Sequence, residues 1–132
     1  MQKVYSRLNA KTISGSATLI TTLIIVTPLC GFLFQCGCDW PWSGLDTRCN
    51  FYKPATEHPC PWCASMLTGI LSTGSAIIGG VLTAMSPTVS LVNYRSVYDV
   101  ALRTLVGLTV FVLLAILIGG LQNIAIARDF RF

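Results

Sequence analysis

Three long stretches of this chain contain no charged side chain, and that property decides most of what it can become. No Asp, Glu, Lys or Arg occurs from Thr12 to Cys38, from His58 to Tyr94 or from Thr104 to Ala127. A helix needs about 20 apolar residues to cross the hydrocarbon of a bilayer, so each stretch is long enough to cross once. A soluble core of this size could not absorb such runs, with hydrophobic residues at 53% and charged ones at 11% of 132 residues. In lipid every backbone polar group must be satisfied within the segment, and for isolated apolar runs that means helix. The chain therefore reads as one all-α membrane domain, residues 1–132, with spans near Ile13–Phe34, Cys63–Met85 and Leu105–Ile126.

Charge placement speaks to orientation rather than to nucleic acid. The net charge is +4, but the basic residues flank the spans and form no cluster or helix face. Lys3, Arg7 and Lys11 precede the first span, which predicts a cytoplasmic N-terminus and places Gln35–Pro61 outside, Ser86–Arg103 inside and the tail from Arg128 to Phe132 outside. The same cations resemble the start of a signal peptide. The apolar part is longer than such a segment needs and no A-x-A site follows it, so an uncleaved anchor is expected.

The segment 35–61 differs in composition from everything around it. It holds Cys36, Cys38, Cys49 and Cys60, the prolines Pro41, Pro54 and Pro59, and the aromatics Trp40, Trp42, Phe51 and Tyr52. Gly, Pro, Asp and Asn at this density argue for turns. Trp40, Trp42 and Trp62 are suited to anchoring at headgroup level. Five of the six cysteines fall within Cys36–Cys63, and the sixth, Cys30, lies about one turn below the end of the first span. On an extracytoplasmic face this density predicts a disulfide-linked cap, with Cys36, Cys38 and Cys49 as candidates and the pairing left open among fifteen possibilities.

Other chemistries find little support. There is no phosphate loop, H-E-x-x-H or nucleophile elbow. Without charge inside the spans, a proton relay or ion pathway has nothing to run on. Cys36, Cys38, Cys49, His58, Cys60 and Cys63 supply soft ligands enough for zinc or copper, but their spacing matches no standard zinc module, so no metal site is expected. Ala64 stands where c-type haem attachment needs histidine. Ser72, Ala76, Gly80 and Ala84 in the middle span, and Ala115 and Gly119 in the third, form stripes of small residues that let helices approach closely. A groove for a flat lipid or quinone tail is the functional alternative for these stripes.

The remaining motif is Cys60-Pro61-Trp62-Cys63, directly before the middle span. Cys60 falls where an N-cap belongs and Pro61 where a first helical residue belongs. That placement aims free amides and the positive end of the helix dipole at the Cys60 sulfur, which predicts a lowered thiol pKa. Followed at once by a small-residue-rich helix, the motif resembles the second span of the DsbB-type disulfide bond formation proteins. The resemblance covers about thirty residues and carries over to Cys60 and Cys63 alone. It implies dithiol exchange at the outer face of a bacterial inner membrane, with a periplasmic thiol protein as partner and a membrane quinone as electron acceptor. Two functions are thus expected: a membrane thiol–disulfide oxidoreductase or relay with Cys60 as nucleophile and Cys63 resolving, or a non-enzymatic small subunit of a larger membrane complex.

Overall fold

A computed structural model describes residues 2–45, 47–49, 60–63, 65–88 and 96–129. Three helices account for most of them: α1 (Gln2–Phe34), α2 (Met66–Met85) and α3 (Ser96–Asp129). Each contains a stretch long and apolar enough to cross a membrane: Asn9–Phe34, Leu67–Met85 and Val97–Ala125. The all-α, three-span architecture expected from the uncharged runs is the one observed.

The helices run up, down and up, and each turns an i, i+4 stripe inward, of small or hydroxyl residues on α1 and α2 and of mixed size on α3. On α1 the buried positions are Ala10, Ser14, Thr18, Thr22 and Cys30; on α2 they are Ser72, Ala76, Gly80 and Ala84. On α3 they are Arg103, Gly107, Phe111, Ala115 and Gly119. Large apolar side chains such as Ile20, Leu71, Ile78, Leu82 and Leu117 point outward. Lipid solvates them as well as a core would, so packing between helices selects small residues instead.

The stripes lock at a close crossing of α2 and α3. A Cβ added at Gly80 would lie 2.8 Å from the Gly107 carbonyl, and one added at Gly107 would lie 2.7 Å from the Gly80 carbonyl. Thr18 of α1 also lies against Gly107, so the three helices meet at this level. Near one end Gly15 faces Met85; near the other the Phe34 ring lies on Gly119. The small-residue stripes are therefore spent on contacts within the chain.

Several interior hydroxyls bond carbonyls of their own helix. Ser14 Oγ donates to the Ala10 carbonyl at 2.6 Å and Thr18 Oγ1 to the Ser14 carbonyl at 2.8 Å. Gln122 donates through Nε2 to Ser72 Oγ, a polar clamp between α3 and α2.

Two boundaries differ from the sequence expectation, each for a physical reason. Helix α3 starts about two turns earlier, so Asp99 and Arg103 lie within a candidate span that was expected to be uncharged. Arg103 makes this possible: its Nε donates to Asp99 Oδ2 at 3.0 Å and its Nη1 to the Ser86 carbonyl at 2.7 Å. The guanidinium thus satisfies a carbonyl just past the end of α2 and is neutralised by its own helix. Helix α2 starts three residues later than Cys63, and its N-cap is Ser65. Cys60 is consequently not a helix cap.

Candidate functional site

Helix α1 ends at Phe34 because Gln35 and Gly37 both turn left-handed, with φ of 50° and 84°. The reversal folds the chain back over the last turn of α1. A Cβ on Gly31 would fall on the Cys38 carbonyl, and one on Gly37 would fall on the Arg48 carbonyl. Only hydrogen fits at either place. Beyond Cys38 a compact turn is closed by the Asp39 amide donating to the Leu45 carbonyl at 2.8 Å. Cys60 to Cys63 form a separate turn, with the Cys63 amide donating to the Cys60 carbonyl at 3.1 Å. The Trp62 carbonyl then rests on Gly69 of α2.

These turns deliver all six sulfurs to one place at the end of the bundle. Cys30 Sγ lies 3.4 Å from Cys36 Sγ and 3.2 Å from Cys60 Sγ, and Cys49 Sγ lies 3.3 Å from Cys63 Sγ. The sulfurs fall into three groups, Cys30/Cys36/Cys60, Cys30/Cys38/Cys63 and Cys36/Cys38/Cys49, each with its members within 4.8 Å of one another. Cys30, Cys36, Cys49 and Cys60 are buried; Cys38 and Cys63 are half-buried. The cluster continues into the apolar core through Trp62, Ala76, Phe111 and Ala115.

None of the six cysteines is bonded to another. A disulfide holds its sulfurs at about 2.05 Å, well inside the separations seen here. The expected disulfide-linked cap is therefore replaced by a cluster of thiols. Sulfurs sharing a tetrahedral metal with bonds of about 2.3 Å stand about 3.8 Å apart, between the 3.2–3.4 Å of the closest pairs and the 4.8 Å within which each group lies.

The dithiol motif is placed differently from its sequence reading. Cys60 is 3% exposed and its nearest sulfur partner is Cys30, whereas the half-buried Cys63 meets Cys49. The Cys60 thiol is pushed up, not down. Its hydrogen bond with Cys30 favours the thiolate, but Cys36, Cys63 and burial together outweigh it. The Cys63 thiol is also held above its ordinary range: Cys30 and Cys60 favour its thiolate, and Cys36, Cys38 and burial prevail. Cys36 is the sulfur pulled down, because Cys30 first and then Cys38, Cys60 and Cys63 donate toward it.

Trp62 is buried and packs edge-on against Phe34, with centroids 5.3 Å apart, so it is a core residue and not a headgroup anchor. Trp40 and Trp42 stack at 5.1 Å on the exposed side of the turn, as interfacial residues can. His58, Phe51, Tyr52 and Lys53 lie outside the described residues.

The sequence signal for the cluster was the register of Cys30, four-residue steps along the stripe from Ala10 through Thr22. That register points its sulfur at the bundle axis, under the loop. Searches of protein-family models, curated proteins and solved structures give no match to this chain.

Proposed function

We propose that this protein is a membrane-anchored thiolate centre that holds soft d10 metal ions, zinc or cuprous copper, at the membrane surface. One observation carries the reading: every cysteine in the chain converges on a single cluster of sulfurs at ligand spacing. A framework of static disulfides needs sulfurs only in pairs, whereas Cys30 touches two others at once. Thiolate ligands select zinc and Cu(I) over harder ions. Burial among apolar side chains keeps water and oxidants from a bound metal. Lys3, Arg7 and Lys11 support an orientation with the N-terminus cytoplasmic and the cluster at the outer face of a bacterial inner membrane. Exposed Trp40 and Trp42 offer a surface for a donor or acceptor protein or for neighbouring subunits.

The test is metal retention by the full chain in detergent micelles. Protein reduced anaerobically and supplied with zinc or Cu(I) should keep metal through desalting, and its thiols should be protected from maleimide until a chelator is added. Protein that retains neither metal, with all six thiols reactive after denaturation, would overturn the reading.

A second reading, thiol–disulfide exchange, is favoured by the Cys49–Cys63 contact beside the half-buried Cys63. In it a Cys49–Cys63 disulfide is attacked at Cys63 by a partner thiolate, releasing the Cys49 thiolate. The partner's second thiol then frees Cys63 and completes a two-electron oxidation of the partner. The Cys30–Cys60 contact extends the route inward, and a membrane quinone is the acceptor that would reoxidise the centre. Trapping distinguishes the readings: in a Cys49→Ser variant the Cys63 thiolate attacks the disulfide of an oxidised partner by the reverse step and no Cys49 resolves the product, so exchange predicts a mixed disulfide at Cys63 and metal holding predicts none.

A further inference from the structure

The three sulfur groups are not independent of one another, and their connectivity carries more than the presence of a metal. Cys30, Cys36 and Cys38 each belong to two groups, so they form a central triangle with all three edges within 4.8 Å. Cys60, Cys63 and Cys49 each belong to one group, and each caps a different edge. Cys60 caps Cys30–Cys36, Cys63 caps Cys30–Cys38, and Cys49 caps Cys36–Cys38. Among the capping sulfurs, Cys49 and Cys63 touch at 3.3 Å, and Cys60 and Cys63 are joined through one hydrogen-bonded turn. In an octahedron these three groups are three alternate faces and Cys49, Cys60 and Cys63 are the corners of the fourth, of which the Cys49–Cys63 edge is observed.

From this connectivity, and resting on the reading of the cluster as a soft-metal centre, we infer that the cargo is cuprous copper, bound as a tetranuclear Cu(I)–thiolate cluster. Cu(I) has a filled d shell and takes three thiolates in a plane as readily as four, whereas structural zinc sites take four ligands. The groups here are triads. One Cu(I) at each alternate face gives every metal three sulfurs and every sulfur two metals. Six bridging sulfurs then supply twelve bonds, three to each of four cuprous ions.

Binding involves no change of oxidation state. Six thiols and four Cu(I) give a cluster with a charge of −2 and six released protons. The two half-buried sulfurs, Cys38 and Cys63, lie in the same triad with Cys30. That face is where copper passes between the cluster and an external donor, and the buried Cys36, Cys49 and Cys60 hold the remainder away from water.

The experiment is an anaerobic titration of reduced full-length protein in detergent micelles with Cu(I) in acetonitrile, and in parallel with zinc. Bound metal, released protons and copper X-ray absorption are measured. The expected result is four Cu(I) per chain, about six protons released, and absorption showing three sulfur neighbours per copper with a short copper–copper vector. Saturation at one or two metals, or four-sulfur coordination, overturns the tetranuclear cluster and leaves a soft-metal centre standing. Binding of neither metal overturns both. Cys38→Ser serves as the variant because its site is half-buried and its loss least threatens folding. With helical circular dichroism unchanged, copper capacity should fall below four. Unchanged capacity in that variant excludes Cys38 as a bridging ligand and overturns the octahedral assignment.

Discussion

Replacing Gly80 by alanine tests the packing that supports the site. The added Cβ would lie 2.8 Å from the Gly107 carbonyl and 2.9 Å from Phe111 Cβ, whereas ordinary contact begins at 3.4 Å. The obstacle is backbone on one side and the first side-chain atom on the other, so no rotamer change relieves it. Helices α2 and α3 must therefore open by about 0.6 Å at their closest point, on the difference between those distances. Opening loosens Ala76, Ala84, Phe111 and Ala115, all fully buried along the same two stripes. Overpacking of this kind costs about 1–3 kcal/mol. Gly74→Ala is the control, since a Cβ there meets nothing within 4 Å. Tryptophan fluorescence during unfolding in mixed detergent micelles reads both variants. Gly80→Ala should lower the midpoint clearly and Gly74→Ala should leave it within error; Gly80→Leu should abolish the compact bundle. Equal midpoints for the two alanine variants would refute the close crossing.

Other consequences follow from individual residues. Arg103→Met strands the Asp99 carboxylate and uncaps the Ser86 carbonyl, so unfolding should become easier by about 3 kcal/mol, as when one partner of a buried pair is removed; Asp99→Asn in the same background should recover part of it. Gly31→Ala pushes the Cys38 carbonyl off the last turn of α1, and metal retention should fall while helical content stays unchanged. Because Cys36 is pulled below the ordinary thiol range by its sulfur neighbours, it should be the first of the six thiols to give thiolate absorbance as pH rises, and Cys36→Ser should lack that first step. A lowered folded pKa contributes stability in full above the unfolded value of about 8.5 and loses it as pH falls through the folded value, so the reduced apoprotein should weaken on acidification. Gln122→Leu removes the clamp on Ser72 and should cost about 1 kcal/mol in the same unfolding assay.

The spans were legible because lipid imposes a simple rule on composition: the uncharged runs mark the helices, and the stripe from Ser72 to Ala84 marks the inward face of α2. The start of α3 was not legible from the same rule. Counting charge excluded Asp99 and Arg103, whereas their i, i+4 pairing and the carbonyls at the end of α2 make the guanidinium tolerable there. The inward face of α1 was missed for a related reason. Ser14, Thr18 and Thr22 look like interruptions of an apolar run, but each bonds a carbonyl of its own helix and leaves a narrow surface for neighbours. Trp62 was misplaced because an aromatic beside a span suits the headgroup layer on composition alone. Its contact with Phe34 and the seat of its carbonyl on Gly69 depend on where α2 begins.

The site itself depended on that same boundary. Had α2 started at Cys63, the dipole would act on Cys60, and Cys60 with Cys63 would form an isolated dithiol above the membrane. A start at Met66, with Ser65 at the N-cap position, frees Cys60–Cys63 to form its own turn, and that turn swings the Cys60 sulfur to Cys30 rather than toward solvent. Sequence spacing between cysteines could not disclose this, because Cys30 and Cys60 are thirty residues apart and meet only when α1 and α2 pack along their stripes. Cys30 lies three four-residue steps along the stripe from Thr18, which lies against Gly107, so the register of the helices and the position of the innermost sulfur are one constraint. A shift of α1 by one residue would turn Cys30 by about 100° toward lipid and leave the loop sulfurs without their shared neighbour. The bundle is thus the part of the molecule that assembles the cluster, and the loop supplies the sulfurs it gathers.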